Sequence, residues 1–326
     1  MTRSRNGTRL RADQRRPFPA AGPGIAGSGP GGAGAGVNGA QMNAAAYRWR
    51  AADGLVPCEP LDGPLLVADS WLVDNGAVRG LERHYQRFAA ACAARRPATA
   101  GPAGVDGFLA AVRRVLPSTG RWFPRAELAD AAGSDAAGSD AAGAGDPRDP
   151  GIPVRLSLLV RPAPAPAPTG KLWIYHGPDP RRLPWWKGPD LPALAGLHGR
   201  ASQAGADDAL LTAADGVLLE AAYSSVLWWE AGTLCVPADG LPVLPGVTVS
   251  LIRDRAAALG VPVKGVRRHP EDLDGCEVWM VNALHGIRAV TELAGCTAQP
   301  GPATRAPVWR RWLESIAVPV TVPAIP

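Results

Sequence analysis

"LPWWKGPDLPALAGLHGRASQAGADDALLTAADGVLLE", residues 183–220, contains the two residues on which the reading of the fold turns, Lys187 and Glu220. Lysine occurs only at 171, 187 and 264, in a chain of 326 residues with 34 basic ones. Arginine stays protonated under working conditions, whereas a desolvated lysine loses its proton and becomes a nucleophile. Trp185 and Trp186 precede Lys187 and offer apolar surface for that desolvation. Glu220 ends the apolar run "GVLLE", and a carboxylate closing a buried strand needs a partner.

Around this stretch the patterns alternate between helix and strand. "GLERHYQRFAAACAAR" sets Leu81, Tyr85, Phe88 and Cys92 on one helical stripe, and "VDGFLAAVRRVL" does the same with Phe108, Val112 and Val115. "VRLSLLV" and "KLWIYH" read as strands. A helix is expected over about 190–204, then two strands about Asp215-Gly216 and a hairpin about Ala231-Gly232. "LPGVTVSLIRDRAAALG" opens a helix, "EVWMVNALHGIRAVTEL" supplies strands, and "PVWRRWLESIA" is a closing helix. So many hairpins disfavour an open parallel dinucleotide sheet, and no GxGxxG with a correctly spaced acid is present.

Charge and composition exclude several classes. The net charge of +5 is already reached by six arginines and Asp13 within residues 1–16, so the remainder is neutral and no nucleic-acid partner is expected. Five scattered cysteines, with no CxxC pair, argue against a disulfide framework or a zinc site and for a reducing, cytoplasmic setting. No apolar stretch is long enough for a membrane span, and no secretory segment follows the basic start. Residues 1–46 are too rich in Arg, Gly and Pro to form a core and are expected to be a disordered tail, with Met42 as a possible alternative translation start. "DAAGSDAAGSDAAGAGDPRDPG" (130–151) reads as a low-complexity loop, and "RPAPAPAPTG" (161–170) as a stiff connection.

Three further elements complete a constellation. "LPGVT" places Gly246, Val247 and Thr248 at a helix start, where unpaired N–H groups and the helix dipole favour a phosphate. Arg87, in "RHYQRF", can add a charge-assisted contact. Each element alone has an ordinary reading: a solvated lysine, a glutamate paired with an arginine, a capped helix, an arginine facing solvent. Together, a desolvated amine, a buried acid and a phosphate cradle are what a pyridoxal 5'-phosphate enzyme supplies.

The order and spacing of these elements resemble the class IV aminotransferase family, over about residues 66–295. The resemblance begins at "VADSWLVDNGAVRGLERHYQRF" and continues through "LPWWKG", "DGVLLE", "LCVP", "LPGVT" and "VNALHGIRAV". It implies an α/β (α+β) fold: a two-domain fold-type-IV enzyme like D-amino acid aminotransferase, preceded by the disordered tail. The divisions expected are an N-terminal α/β domain over 47–180 and a pyridoxal phosphate-binding domain over 181–326. The resemblance assigns Lys187 as the Schiff-base lysine, Glu220 as the partner of the pyridine nitrogen and Arg87 as the phosphate arginine. It assigns Val247 and Thr248, with Gly246, to the phosphate cradle, and Asn282 and Ala283 to the loop on its other side. "VNALHGIRAV" is most similar to the 4-amino-4-deoxychorismate lyase branch; transaminases of branched-chain or D-amino acids, and a silent binding protein on the same fold, are the alternatives. Two departures are visible. "DGPLLVADSWL" replaces the family's Gly-Asp-Gly stretch, and Ser225 stands where an asparagine is usual. A homodimer acting on a small amino- or keto-acid is implied. His285, Arg288 and Ser70 are the expected substrate residues, the first two because they continue from the phosphate loop.

Overall fold

The computed structural model describes residues 44–60, 63–131 and 153–320. Residues 1–43 of the expected tail, with the alternative start at Met42, and almost the whole low-complexity loop lie outside the described residues.

The first half is built on β1 (Ala45–Arg50), β2 (Gly54–Cys58), β3 (Leu65–Ser70), β4 (Val73–Asp74) and β5 (Ala77–Val78). Helices α1 (Leu81–Arg95) and α2 (Val105–Val115) follow, then β6 (Arg121–Trp122), β7 (Arg125–Asp130) and β8 (Val154–Val160). β1 therefore includes Ala45 and Ala46, two residues assigned to the tail from sequence. With β4, β5 and β6 in a separate small sheet, the other five strands form an antiparallel sheet of order β2-β1-β8-β7-β3. The expected stripes on α1 and α2 supply its core: Phe88, Cys92, Phe108 and Val112 are buried with Val67, Trp71, Leu128 and Leu158.

The second half contains β9 (Thr169–Ile174), α3 (Leu191–Gln203), β10 (Asp208–Thr212), β11 (Leu218–Ala221), β12 (Ser225–Glu230) and β13 (Thr233–Pro237). It continues with α4 (Val247–Ala258), β14 (Val263–Val266), β15 (Glu277–Asn282), β16 (Gly286–Ala294), α5 (Ala306–Ser315) and β17 (Val318–Pro319). Eight of these strands make one sheet of order β11-β10-β9-β16-β15-β12-β13-β14. β9 belongs to this sheet, so the chain changes sheets within 161–168, whereas the expected division fell at 180. The Pro-rich stretch is that change-over.

Strand alternation divides the second half's core between faces. On β12, Trp228 joins Leu210 and Met280 on one side, while Trp229 meets Trp279 and Trp309 on the other. Those three indoles pack with centroids 5.5–5.7 Å apart, and burying each contributes about 4–6 kcal/mol of transfer free energy. The β12–β13 hairpin turns at Ala231 and Gly232, both at positive φ (43° and 85°), the backbone that a two-residue hairpin requires.

Candidate active site

The candidate side chains converge on a cavity of about 790 Å³ lined from both the five-stranded and the eight-stranded sheet. Lys187, Glu220, Arg87, Gly246, Val247, Thr248, Asn282, Ala283 and Ser70 all line it. Residues spread over more than two hundred positions of sequence thus share one space.

Lys187 reaches this position through its backbone. Its carbonyl accepts a 2.7 Å hydrogen bond from Ala68 N on β3. Gly188 (φ 130°) permits the approach, since a Cβ there would fall 2.6 Å from that same nitrogen. No hydrogen bond engages the Lys187 amine among the described residues, and its enclosure by protein, then the nearby Arg87, lower its pKa to about 8. Of the two tryptophans expected to shield it, only Trp186 lines the cavity; Trp185 is 55% exposed.

Glu220 does have an arginine partner. Its Oε1 accepts from Arg181 and, at 2.9 Å, from Leu244 N–H. Arg181 is itself held by both oxygens of Asp179 and by the Pro242 carbonyl. The Oε2 atom has no partner among the described residues. Burial pushes the carboxyl up to about 7, against the pull of Arg181 and the Leu244 N–H. A cation placed opposite Oε2 draws it back to the ionised form.

At the other end lies an anion cradle. α4 starts at Val247 with no side-chain cap, which leaves its first N–H groups unpaired. Gly246 keeps the approach open, since a Cβ there would press on Ser225 Oγ at 3.0 Å. α1 packs its own start against α4, where a Cβ on Gly80 would meet Leu251 and Val247. Arg87, two turns along α1, thereby reaches the Pro245 carbonyl at 3.0 Å. Asp69 holds the guanidinium bidentately at 2.8 Å through Nε and Nη2. Each terminal nitrogen of Arg87 keeps an N–H to spare. Asn282 closes the far wall through Nδ2, which donates to Ser224 Oγ at 3.1 Å. Arg79 fixes the following turn by donating to the Ala283 carbonyl at 2.8 Å.

Several of these supports were not read from the sequence. Asp69 is fully buried and also contacts His84 Nδ1 at 2.8 Å. Although burial opposes ionisation, Arg87 and His84 hold its carboxyl well below the usual carboxylate range. Burial lowers the His84 pKa against the pull of Asp69; since an ionised carboxylate only accepts, Nδ1 donates to it. The signal was available: His84 and Arg87 lie three apart on one helix face, opposite an acid set in an apolar strand.

His285 and Arg288 do not line the cavity, which corrects the expectation that they meet substrate. β16 runs back along β15 and carries Arg288 to Asp207, at 2.6 Å, and to the Thr169 carbonyl, at 2.9 Å. His285 is held by its backbone N–H to Asn282 Oδ1 at 2.8 Å. Burial and the neighbouring Arg288 push its pKa down to about 4, so the ring is neutral. Ser70 does line the cavity, and its N–H caps Asp69 at 2.7 Å.

A free amine, an acid with one open oxygen and an uncapped helix start beside a restrained arginine form a donor set that fits a phosphorylated pyridine aldehyde; fold and site define a pyridoxal phosphate enzyme. The chain belongs to the class IV aminotransferase family, whose model matches residues 66–293. It is similar in fold to the branched-chain aminotransferase of Thermoproteus uzoniensis determined with norvaline (17% identity, TM-score 0.67, covering 85% of this chain and 99% of that one). A hypothetical aminotransferase of Mycobacterium tuberculosis in its PLP-bound form is also similar (19%, TM-score 0.63, 85% and 99%). So is an aminotransferase of Brucella abortus bound to PLP (16%, TM-score 0.64, 83% and 98%). No curated protein matches the chain in sequence. No helix among the described residues is long and apolar enough to cross a membrane.

Proposed function

We propose that the chain is a 4-amino-4-deoxychorismate lyase, which releases pyruvate and leaves 4-aminobenzoate. The observation that carries this reading is the Asn282-Ala283-Leu284 turn, the feature most similar to the lyase branch, which lines the cavity beside the phosphate cradle. Pyridoxal phosphate, when bound, supplies an aldehyde that captures an amine and a ring that takes up electrons released at the substrate carbon. Lys187 would hold the aldehyde, Arg87 and the N–H groups of Val247 and Thr248 the phosphate, and Glu220 Oε2 the ring nitrogen.

The protein's own work is proton transfer and placement. With a pKa of about 8, the Lys187 amine exchanges its proton near neutral pH. With the substrate amine held at the aldehyde, Nζ would take the proton from the amine-bearing ring carbon. As the C–O bond to the side chain breaks, it returns that proton to the departing enolpyruvate, so no net acid or base is consumed. Arg181 and Leu244 N–H fix Oε1 of Glu220 and so aim Oε2.

A transaminase is the second reading, supported by the similar fold of a branched-chain aminotransferase. The two are separated by assaying purified holoenzyme for pyruvate from aminodeoxychorismate, and for keto acid from a panel of branched-chain and D-amino acids. Pyruvate with stoichiometric 4-aminobenzoate is expected; keto acid alone overturns the lyase reading. A homodimer in the cytoplasm completes the proposal: the family resemblance supports the dimer, and five free cysteines support a reducing setting.

A further inference from the structure

Four arginines line the cavity: Arg87, Arg125, Arg161 and Arg181. Three have carboxylate partners of their own. Arg87 is clasped by Asp69, and Arg181 by Asp179 and Glu220. Arg125 donates from Nε to Glu127 Oε1 at 2.5 Å, and Glu127 is fixed in turn by Ser157 Oγ at 3.0 Å. Arg161 has no carboxylate partner among the described residues. Its guanidinium lies over the Phe123 ring, 5.3 Å from the centroid. That stacking orients the plane of the guanidinium without using its N–H groups. The Nε atom is buried and unbonded.

Partly burying a guanidinium without a counter-ion is costly unless a ligand supplies one. The surroundings identify the ligand's chemistry. Arg161 directly follows β8 and Arg125 begins β7, and Phe123 N–H donates to the Arg161 carbonyl at 2.7 Å, so the two cations lie at the same end of neighbouring strands. Burial and like-charge repulsion from Arg125 lower the Arg161 pKa against the pull of Glu127, which is already bound to Arg125. Tyr223, across the cavity, feels both arginines. Phe123, Tyr223, Trp186 and Pro162 give this region flat apolar walls.

We propose that Arg161, assisted by Arg125, is a specificity-determining residue that binds the carboxylate of a ring-bearing substrate. This rests on the lyase reading, since the carboxylate of a cyclohexadiene is the group it would take. An aliphatic amino acid, whose single carboxylate sits on the reacting carbon, has no group to place there.

The test is direct binding of 4-aminobenzoate and benzoate to holoenzyme by calorimetry, with 4-aminobenzamide as the uncharged control. Arg161→Gln should weaken both carboxylates ten- to a hundredfold, leaving the amide, the cofactor absorbance and the melting temperature unchanged. Arg161→Lys should fall between, and keeps the test valid if the glutamine variant folds poorly. Equal carboxylate affinity in wild type and Arg161→Gln, or no binding by wild type at millimolar concentration, overturns the proposal. Pyruvate release is measured in parallel. Weakened binding without pyruvate from wild type leaves the subsite standing and removes the lyase reading; pyruvate with unchanged binding removes the subsite alone.

Discussion

The two ends of the cavity are built by different means. The end proposed for the phosphate relies on backbone: the uncapped start of α4 and the turn after β15, with one arginine bound by one aspartate. The other end relies on side chains from separate elements: Ser70 on β3, Arg125 on β7, Arg161 after β8 and Tyr223 before β12. Backbone chemistry demands contiguous residues, so it leaves short motifs. Side-chain chemistry demands only that a fold bring distant residues together, and it leaves none.

The largest effect expected is at the residue both ends share. Lys187→Ala should abolish cofactor-dependent absorbance and lower turnover by on the order of 10³ or more. Lys171→Ala should leave both intact, because Lys171 pairs with Glu292 on the surface at 2.6 Å. A Lys187→Ala protein that is still coloured, and that borohydride bleaches while fixing the cofactor covalently, would place the reactive amine elsewhere.

Asp69→Asn addresses whether the phosphate end depends on its restrained arginine. Breaking a buried pair costs roughly 3 kcal/mol at the low end. A lower melting temperature and cofactor affinity reduced ten- to a hundredfold are expected, with benzoate binding to the remaining holoenzyme unchanged. Equal losses at both ends would show that they are not separable.

The rate at which apoprotein captures cofactor should report the Lys187 proton. Only the neutral amine reacts, and enclosure lowers its pKa from 10.5 to about 8. Stopped-flow absorbance should therefore show capture rising about tenfold from pH 6 to pH 7 and levelling above about pH 9. A midpoint near 10.5 would mean that the amine is solvated.

The smallest effect belongs to His285. His285→Ala should leave KM and kcat within about twofold, since its ring lies off the cavity and is neutral. A tenfold rise in KM would return His285 to the substrate end and weaken the case for Arg161.

This comparison also explains what was legible in the sequence. Leu81, Tyr85, Phe88 and Cys92 announced α1 because a helix repeats its buried face. Lys187, Glu220 and "LPGVT" were readable because residue type and local conformation carry the chemistry. Arg288 was misjudged because contiguity with Asn282 suggested proximity, whereas the return of β16 delivers it to Asp207. Arg161 was passed over in a Pro-rich connection, since nothing nearby in sequence foretells that it alone of the cavity arginines lacks a carboxylate. Asp69 was the avoidable omission, being an acid in an apolar strand like Glu220.

The close approach at Gly188 has one more consequence. Lys187 lies between α3 and β9, a strand of the eight-stranded sheet, yet its carbonyl is stitched to β3 of the five-stranded one. The amine is therefore mounted on the seam. Prising the layers apart would let water reach and hydrolyse the bond between the amine and a bound cofactor even with each sheet whole, so fading colour would precede lost secondary structure. The protein carries its own optical gauge of whether its halves are joined.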